Sequence, residues 1–123
     1  MRMDRDANAG GPIVLGFVGN GFRVGDDVYR AVLLTTETAA TWTPPALAEL
    51  DEAALQPLID GAPEFILIGT GTTLVRPPVA LVQALDARGI GVEAMDSRAA
   101  ARSWGVLRGE GRAIGAAIYP LDA

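Results

Sequence analysis

The 123-residue chain contains no cysteine, no histidine and no lysine. Without cysteine it forms no disulfide, holds no iron–sulfur cluster and binds no zinc through thiolates. Without histidine it has no His-dependent catalytic triad, no imidazole metal site and no ready proton shuttle near neutral pH. Without lysine it lacks a Walker-A phosphate contact and a Schiff-base anchor for pyridoxal phosphate or a carbonyl substrate. No cofactor and no metal are expected. All ten basic residues are arginine. With abundant alanine, glycine and proline, that usage is the compositional mark of GC-rich coding. No apolar run approaches the ~20 residues that cross a bilayer. Met1 to Pro12 carries charges of both signs and lacks the apolar core of a leader peptide. These absences predict a cytoplasmic, bacterial-type protein without a membrane span.

What is present is ordinary for a soluble globular chain: half the residues are apolar and a fifth are charged. The formal net charge of −5 argues against nucleic-acid binding, which needs a basic face to displace counterions. The length suits one domain with one sizeable core. Residues 1–12, ending in Ala9-Gly10-Gly11-Pro12, read as a mobile tail, and residues 13–123 as a single domain.

The domain divides into a β-rich half and an alternating half. Ile13 to Val18 reads as a strand, Gly19-Asn20-Gly21 as a turn, and Phe22 to Val24 as a second strand. Gly25-Asp26-Asp27 turns the chain into a third strand, Val28 to Leu34, and Thr38 to Thr43 around Trp42 adds a fourth. Together they predict an antiparallel meander. After Pro44-Pro45, residues 51–59 have helical spacing, with Asp51 as N-cap. A buried strand, Phe65 to Ile68, runs straight into Gly69-Thr70-Gly71-Thr72-Thr73. Pro77-Pro78 precedes a helix from Val79 to Arg88, whose apolar face is expected at Val79, Val82 and Leu85, helped by Leu81. Gly89 ends that helix. Ile90 to Met95 is a strand, and Asp96 or Ser97 caps a helix running to about Leu107. Arg112 to Pro120 is the last strand. The class is α/β: three layers, a central mixed, largely parallel sheet with helices packed on it, and the N-terminal antiparallel meander.

Two constellations carry chemical interest. The Gly69–Thr73 turn sits at the carboxyl end of a strand, where open α/β sheets bind ligands. Its backbone N–H groups and the hydroxyls of Thr70, Thr72 and Thr73 can face an anion. It is not a dinucleotide fingerprint: Leu74 stands where the third glycine belongs, and Pro77-Pro78 separate the turn from its helix. The alternative is structural: the glycines simply let the chain leave a buried strand tightly. The second constellation is Asp96, Ser97, Arg98 and Arg102 at the start of the last helix. Arg98 and Arg102 lie one turn apart on one face and could grip a carboxylate or phosphate. The alternative is a solvated face with ion pairs to Asp86, Glu93 or Asp96. Glu110 and Arg112 flank Gly111 and are placed to pair.

The chain resembles a family of small single-domain proteins of mostly unassigned function. Its members include structural-genomics targets, a mitochondrial complex I assembly factor and an adipogenesis-associated protein. The resemblance rests on Gly19 to Val24, Phe65 to Gly71, Gly89 to Ser97, Ala100-Ala101-Arg102, Val106-Leu107 and Glu110-Gly111-Arg112, in that order. It implies a layered α/β fold, and it carries no catalytic residues over. Recurrent positions that match are Gly69, Gly71, Asp96, Arg102, Glu110 and Arg112. Gly105 stands where relatives often have asparagine. Two functions follow as expectations. The first is a non-enzymatic interaction or assembly protein with a protein partner. The second is a small-anion binder or enzyme built on Gly69–Thr73 with Arg76, Arg98 or Arg102. The sequence does not specify the oligomeric state.

Overall fold

Ile66, Leu67 and Ile68 are all buried, because the strand they form has layers on both faces. The computed structural model describes residues 11–123. The predicted tail therefore falls almost entirely outside the described residues. Within it, the Pro12 carbonyl accepts a 2.8 Å hydrogen bond from the Trp104 indole.

The meander consists of β1 (Val14–Val18), β2 (Gly21–Val24) and β3 (Asp27–Tyr29), paired antiparallel in that order. β1 carries a register shift between Val14 and Gly16, which leaves Leu15 bulged out of the ladder. The single strand expected over Val28 to Leu34 is two strands in two sheets. The chain bends at Arg30 and Ala31, and β4 (Val32–Leu34) leaves the meander for the central sheet. Every residue of β4 is buried, whereas β3 is largely exposed. A single run of branched residues hides that break, because both pieces favour extended backbone.

The central sheet has the order β5 (Ala39–Thr41), β4, β8 (Gly115–Ile118), β6 (Phe65–Gly69) and β7 (Gly91–Met95). β6 runs parallel to both β7 and β8, while β4 runs antiparallel to β5 and β8. The sheet is mixed, as expected. Its parallel part arises from two helical crossovers, which parallel pairing requires.

Alternate residues of β6 serve opposite layers. Ile66 and Ile68 face a core with Leu55, Leu58, Leu81 and Leu85. Leu67 faces a second core with Phe22, Ala100, Ala101 and Trp104. The first layer holds two short 3-10 turns, α1 (Gln56–Ile59) and α2 (Val79–Ala87). The Asp51 carboxylate accepts from the Ala54 N–H at 3.1 Å, as a cap does. On α2 the buried pair is Leu81 and Leu85, one turn apart, and Val79 is 69% exposed. The expected stripe through Val79 and Val82 is thus displaced toward Leu81, because packing against the sheet sets the helix's rotation. The second layer holds α3 (Ser97–Gly109) together with the inner face of the meander. Helix α3 continues through Gly105 and beyond the predicted end at Leu107.

Candidate functional site

The turn after β6 is built by close approach. A Cβ on Gly69 would lie 2.9 Å from Ile118 Cγ2 and 3.0 Å from Ser97 Cα. Only glycine lets α3 come so near the sheet. Gly71 has φ +104°, and a Cβ there would sit 2.5 Å from the Ala123 carbonyl oxygen. Both glycines are therefore fixed by backbone geometry.

The structure brings Gly69–Thr73 and Asp96–Ser97 together. Asp96 caps α3, its carboxylate accepting from the Ala99 N–H at 2.9 Å. Ser97 is fully buried. Its hydroxyl accepts from the Gly71 N–H at 2.8 Å and donates to the Tyr119 carbonyl at 2.7 Å. Its own N–H donates to the Gly71 carbonyl at 2.9 Å. One serine thus stitches the β6 turn, the start of α3 and the end of β8.

The donors of Thr70 and Thr72 are engaged as well, while Thr73 is exposed. The Thr70 N–H donates to the Met95 carbonyl, and the Thr70 hydroxyl to the Thr73 carbonyl at 2.6 Å. The Thr72 N–H donates to the Ala123 carbonyl at 3.1 Å and its hydroxyl to the Leu121 carbonyl at 3.0 Å. Residues 121–123 thus lie across the turn and occupy the acceptor positions an anion's oxygens would take. Asp122 holds this segment to the meander through Arg30 at 3.1 Å and Asn20 at 3.4 Å.

Arg98 and Arg102 share a helical face, as expected, but their recorded contacts are with β1 and not with the turn. The Arg98 guanidinium lies over the Phe17 ring at 4.6 Å. Arg102 lines a shallow cleft of about 170 Å³ with Val14 to Phe17 and Ala101. No ion pair joins either arginine to Asp86, Glu93 or Asp96 among the described residues. Arg76 is exposed in the 70–78 loop.

Arg112 pairs with Glu64 at 3.0 Å instead of with the neighbouring Glu110. The loop before β8 carries Arg112 toward the residue preceding β6, 48 positions away. Nothing in the local sequence signals that pairing. The Arg112 hydrogen bond, helped by the Ala113 N–H, holds the Glu64 carboxyl below the usual carboxylate range, and Glu64 in turn raises Arg112. Both are exposed, so the pair contributes little to stability. A larger groove of about 460 Å³ runs beside Ile13, Leu15 and Val24, and Glu37 is the titratable group in its lining. Among the described residues no three His, Cys, Asp or Glu side chains gather to hold a metal ion, and no helix is long and apolar enough to cross a membrane.

The chain is similar over nearly its whole length to proteins of known sequence and structure. An uncharacterised protein of Rhodobacter capsulatus is 34% identical over 101 residues, covering 81% of this chain and 77% of its own. The mouse NADH dehydrogenase [ubiquinone] 1 alpha subcomplex assembly factor 3 is 31% identical over 107 residues. That match covers 81% of this chain but spans only 56% of the mouse protein. A crystal structure from Bordetella parapertussis superposes with a TM-score of 0.79 at 32% identity, covering 89% of this chain and 95% of that one. Residues 14–119 match the sequence pattern of DUF498/DUF598, described as a protein of unknown function. They include both sheets, all three helices and the Ser97 junction, and the chain belongs to that family.

Proposed function

We propose that this chain is a non-enzymatic protein-interaction module that serves the assembly of a larger complex. One observation carries the reading: the outward face of the meander exposes Leu15, Val18 and Val28, with Arg23 among them. Phe17, Phe22 and Tyr29 turn into the core, so their neighbours Val18 and Val28 turn outward and stand 52% and 53% exposed. The bulged Leu15 is 59% exposed. A sheet face meant for water alternates to polar residues at such positions. Gly21 lies under Val28, whose Cγ1 would be 2.6 Å from a Cβ there, so the Val28 side chain spreads over it. Large exposed apolar side chains grouped on one sheet face mark interaction sites. The assembly role of the mouse relative supports the same reading.

The second reading, a small-anion site at Gly69–Thr73 with Asp96, Ser97, Arg98 and Arg102, is the weaker one. The donors of Thr70, Gly71 and Thr72 already bond to protein acceptors, and the two arginines lie against β1, which favours the interaction reading. A thermal-shift screen against nucleotides, phosphate and small carboxylates separates the two, since a ligand specific for the native state raises its melting point.

The direct test is the state of the tagged chain in its host. The expected result is recovery in a defined complex that Val18→Asp/Val28→Asp dissolves. A chain that runs only as a free monomer, with or without those changes, overturns the proposal.

A further inference from the structure

We infer that the partner surface is the rim of β1, and that it takes an acidic, apolar-containing segment of a partner protein. This assignment rests on the interaction reading above and adds the chemistry of the partner.

The argument is one of charge placement. The chain as a whole is acidic, at −5. Yet three arginines gather along β1, with Glu37 confined to the groove on the Leu15 and Val24 side. Arg23 on β2 stands opposite Gly16 in the ladder and opposite Val28 on β3. Its recorded hydrogen bond is to the Gly25 carbonyl at 3.2 Å. Arg98 and Arg102 approach the other side of the same strand from α3. None of the three has a carboxylate partner among the described residues, whereas Arg30, Arg88 and Arg112 each have one. Three unneutralised guanidiniums therefore flank one strand whose exposed side chains, Leu15 and Val18, are apolar.

The rim is also pre-ordered. Phe22 is fully buried and holds Phe17 edge-on, with ring centroids 6.0 Å apart. Phe17 in turn carries the Arg98 guanidinium on its face. A stacked guanidinium keeps its in-plane N–H donors free for a carboxylate, and little rotamer entropy remains to be lost on binding. The Trp104 indole pins the entry to β1 through the Pro12 carbonyl. Carboxylates of a partner would meet Arg23, Arg98 and Arg102, and its apolar side chains would cover Leu15 and Val18. An anionic membrane shares part of this chemistry, but the net negative charge of the chain opposes approach to an extended anionic surface.

The experiment uses the full chain, fluorescently labelled, on an array of synthetic peptides of about 15 residues, a length that spans such a groove. Acidic content and Leu/Ile/Phe content vary independently across the array. The expected result is selection of peptides rich in both. Anisotropy with the strongest binder then shows weakening by about tenfold or more in Arg98→Gln/Arg102→Gln and on raising salt. Arg76→Gln leaves binding unchanged. Among the described residues Arg102 has no polar partner, so Arg102→Gln alone serves if the double variant melts early. Selection of neutral or basic peptides, or indifference to the arginine changes, overturns this assignment while the interaction reading stands. So does stronger binding to vesicles of mixed anionic and zwitterionic lipid than to any peptide. Failure of every peptide, together with a solitary monomer in the host, removes both.

Discussion

The hydroxyl of Ser97 sits 2.8 Å from the backbone nitrogen of Gly71, a residue 26 positions earlier in the chain. Ser97 has no exposure to water, and the same hydroxyl donates to the Tyr119 carbonyl. Ser97→Ala strands one buried N–H and one buried C=O, each of which then loses its partner without regaining water. The expected loss is about 2–3 kcal/mol, or a melting point lower by about 8–12 °C for a chain of this length. Ser103→Ala is the control. Ser103 is only half-buried and its hydroxyl reaches a thioether at 3.4 Å. Equal melting points for the two variants would show that the Ser97 bridge carries no stability.

Gly71 and Gly89 test two different demands on glycine. Gly89 has φ +79°, with open space where a Cβ would go. Gly89→Ala therefore costs only the left-handed backbone, about 1–2 kcal/mol. Gly71 has a comparable backbone demand and a carbonyl oxygen 2.5 Å from the would-be Cβ. Gly71→Ala must displace residues 121–123 from the turn as well, and its loss is expected to exceed that of Gly89→Ala by about 2 kcal/mol. Chemical denaturation of both variants decides the matter. Similar midpoints would mean that the strap over the turn yields without resistance.

The elements were largely legible because each announces itself locally. The run Phe65 to Ile68, the Pro77-Pro78 break and the Asp96 cap all appear where composition places them. The glycines at 69 and 71 were legible as a tight exit, although the contact that requires them, with Ser97 and Ala123, was not. Three features lay beyond reach for one physical reason: they depend on which faces meet. Arg98 turns to Phe17, Arg112 turns to Glu64, and α2 leaves Val79 exposed while burying the expected Leu81 and Leu85. Periodicity says that a helix has an apolar stripe, but packing against the sheet sets its rotation. The break between β3 and β4 was hidden for a related reason: strand propensity does not record a change of sheet.

Gly105 stands inside α3, with no neighbour within 4 Å of its missing Cβ. The helix runs through it regardless, held by Ala100, Ala101 and Trp104 in the core. Tertiary packing has overridden a poor local preference. Gly105→Ala is expected to stabilise the fold by about 1 kcal/mol, raising the melting point by about 4 °C. A calorimetric scan that shows no gain would mean that the helix is strained at this point in a way its open surroundings do not reveal.

Tyr119 gives the fold an alkaline limit. Its ring packs edge-on against Trp42 with centroids 5.1 Å apart, and its hydroxyl donates to the Pro45 carbonyl at 2.8 Å. Burial pushes the phenol up to about 12 from an ordinary 10. The neutral form is therefore the one the fold stabilises. In the unfolded chain the phenol ionises near pH 10, while in the native state it holds its proton for about two further units. The contribution is fully present below pH ~10 and drains away as pH rises toward ~12, a loss on the order of 2–3 kcal/mol. Tyr119→Phe removes this titration. At neutral pH the variant should be less stable by about 1 kcal/mol, because the Pro45 carbonyl loses its donor. Above pH ~10 its melting point should fall less steeply than that of the parent chain, so that the two curves converge and then cross before pH ~12. Phenolate absorbance followed through the same range gives an independent readout, with the Tyr119 step appearing late in the parent and absent in the variant. Parallel melting curves across that range, or a Tyr119 phenol that titrates near 10, would show that this ring has no hold on the alkaline transition.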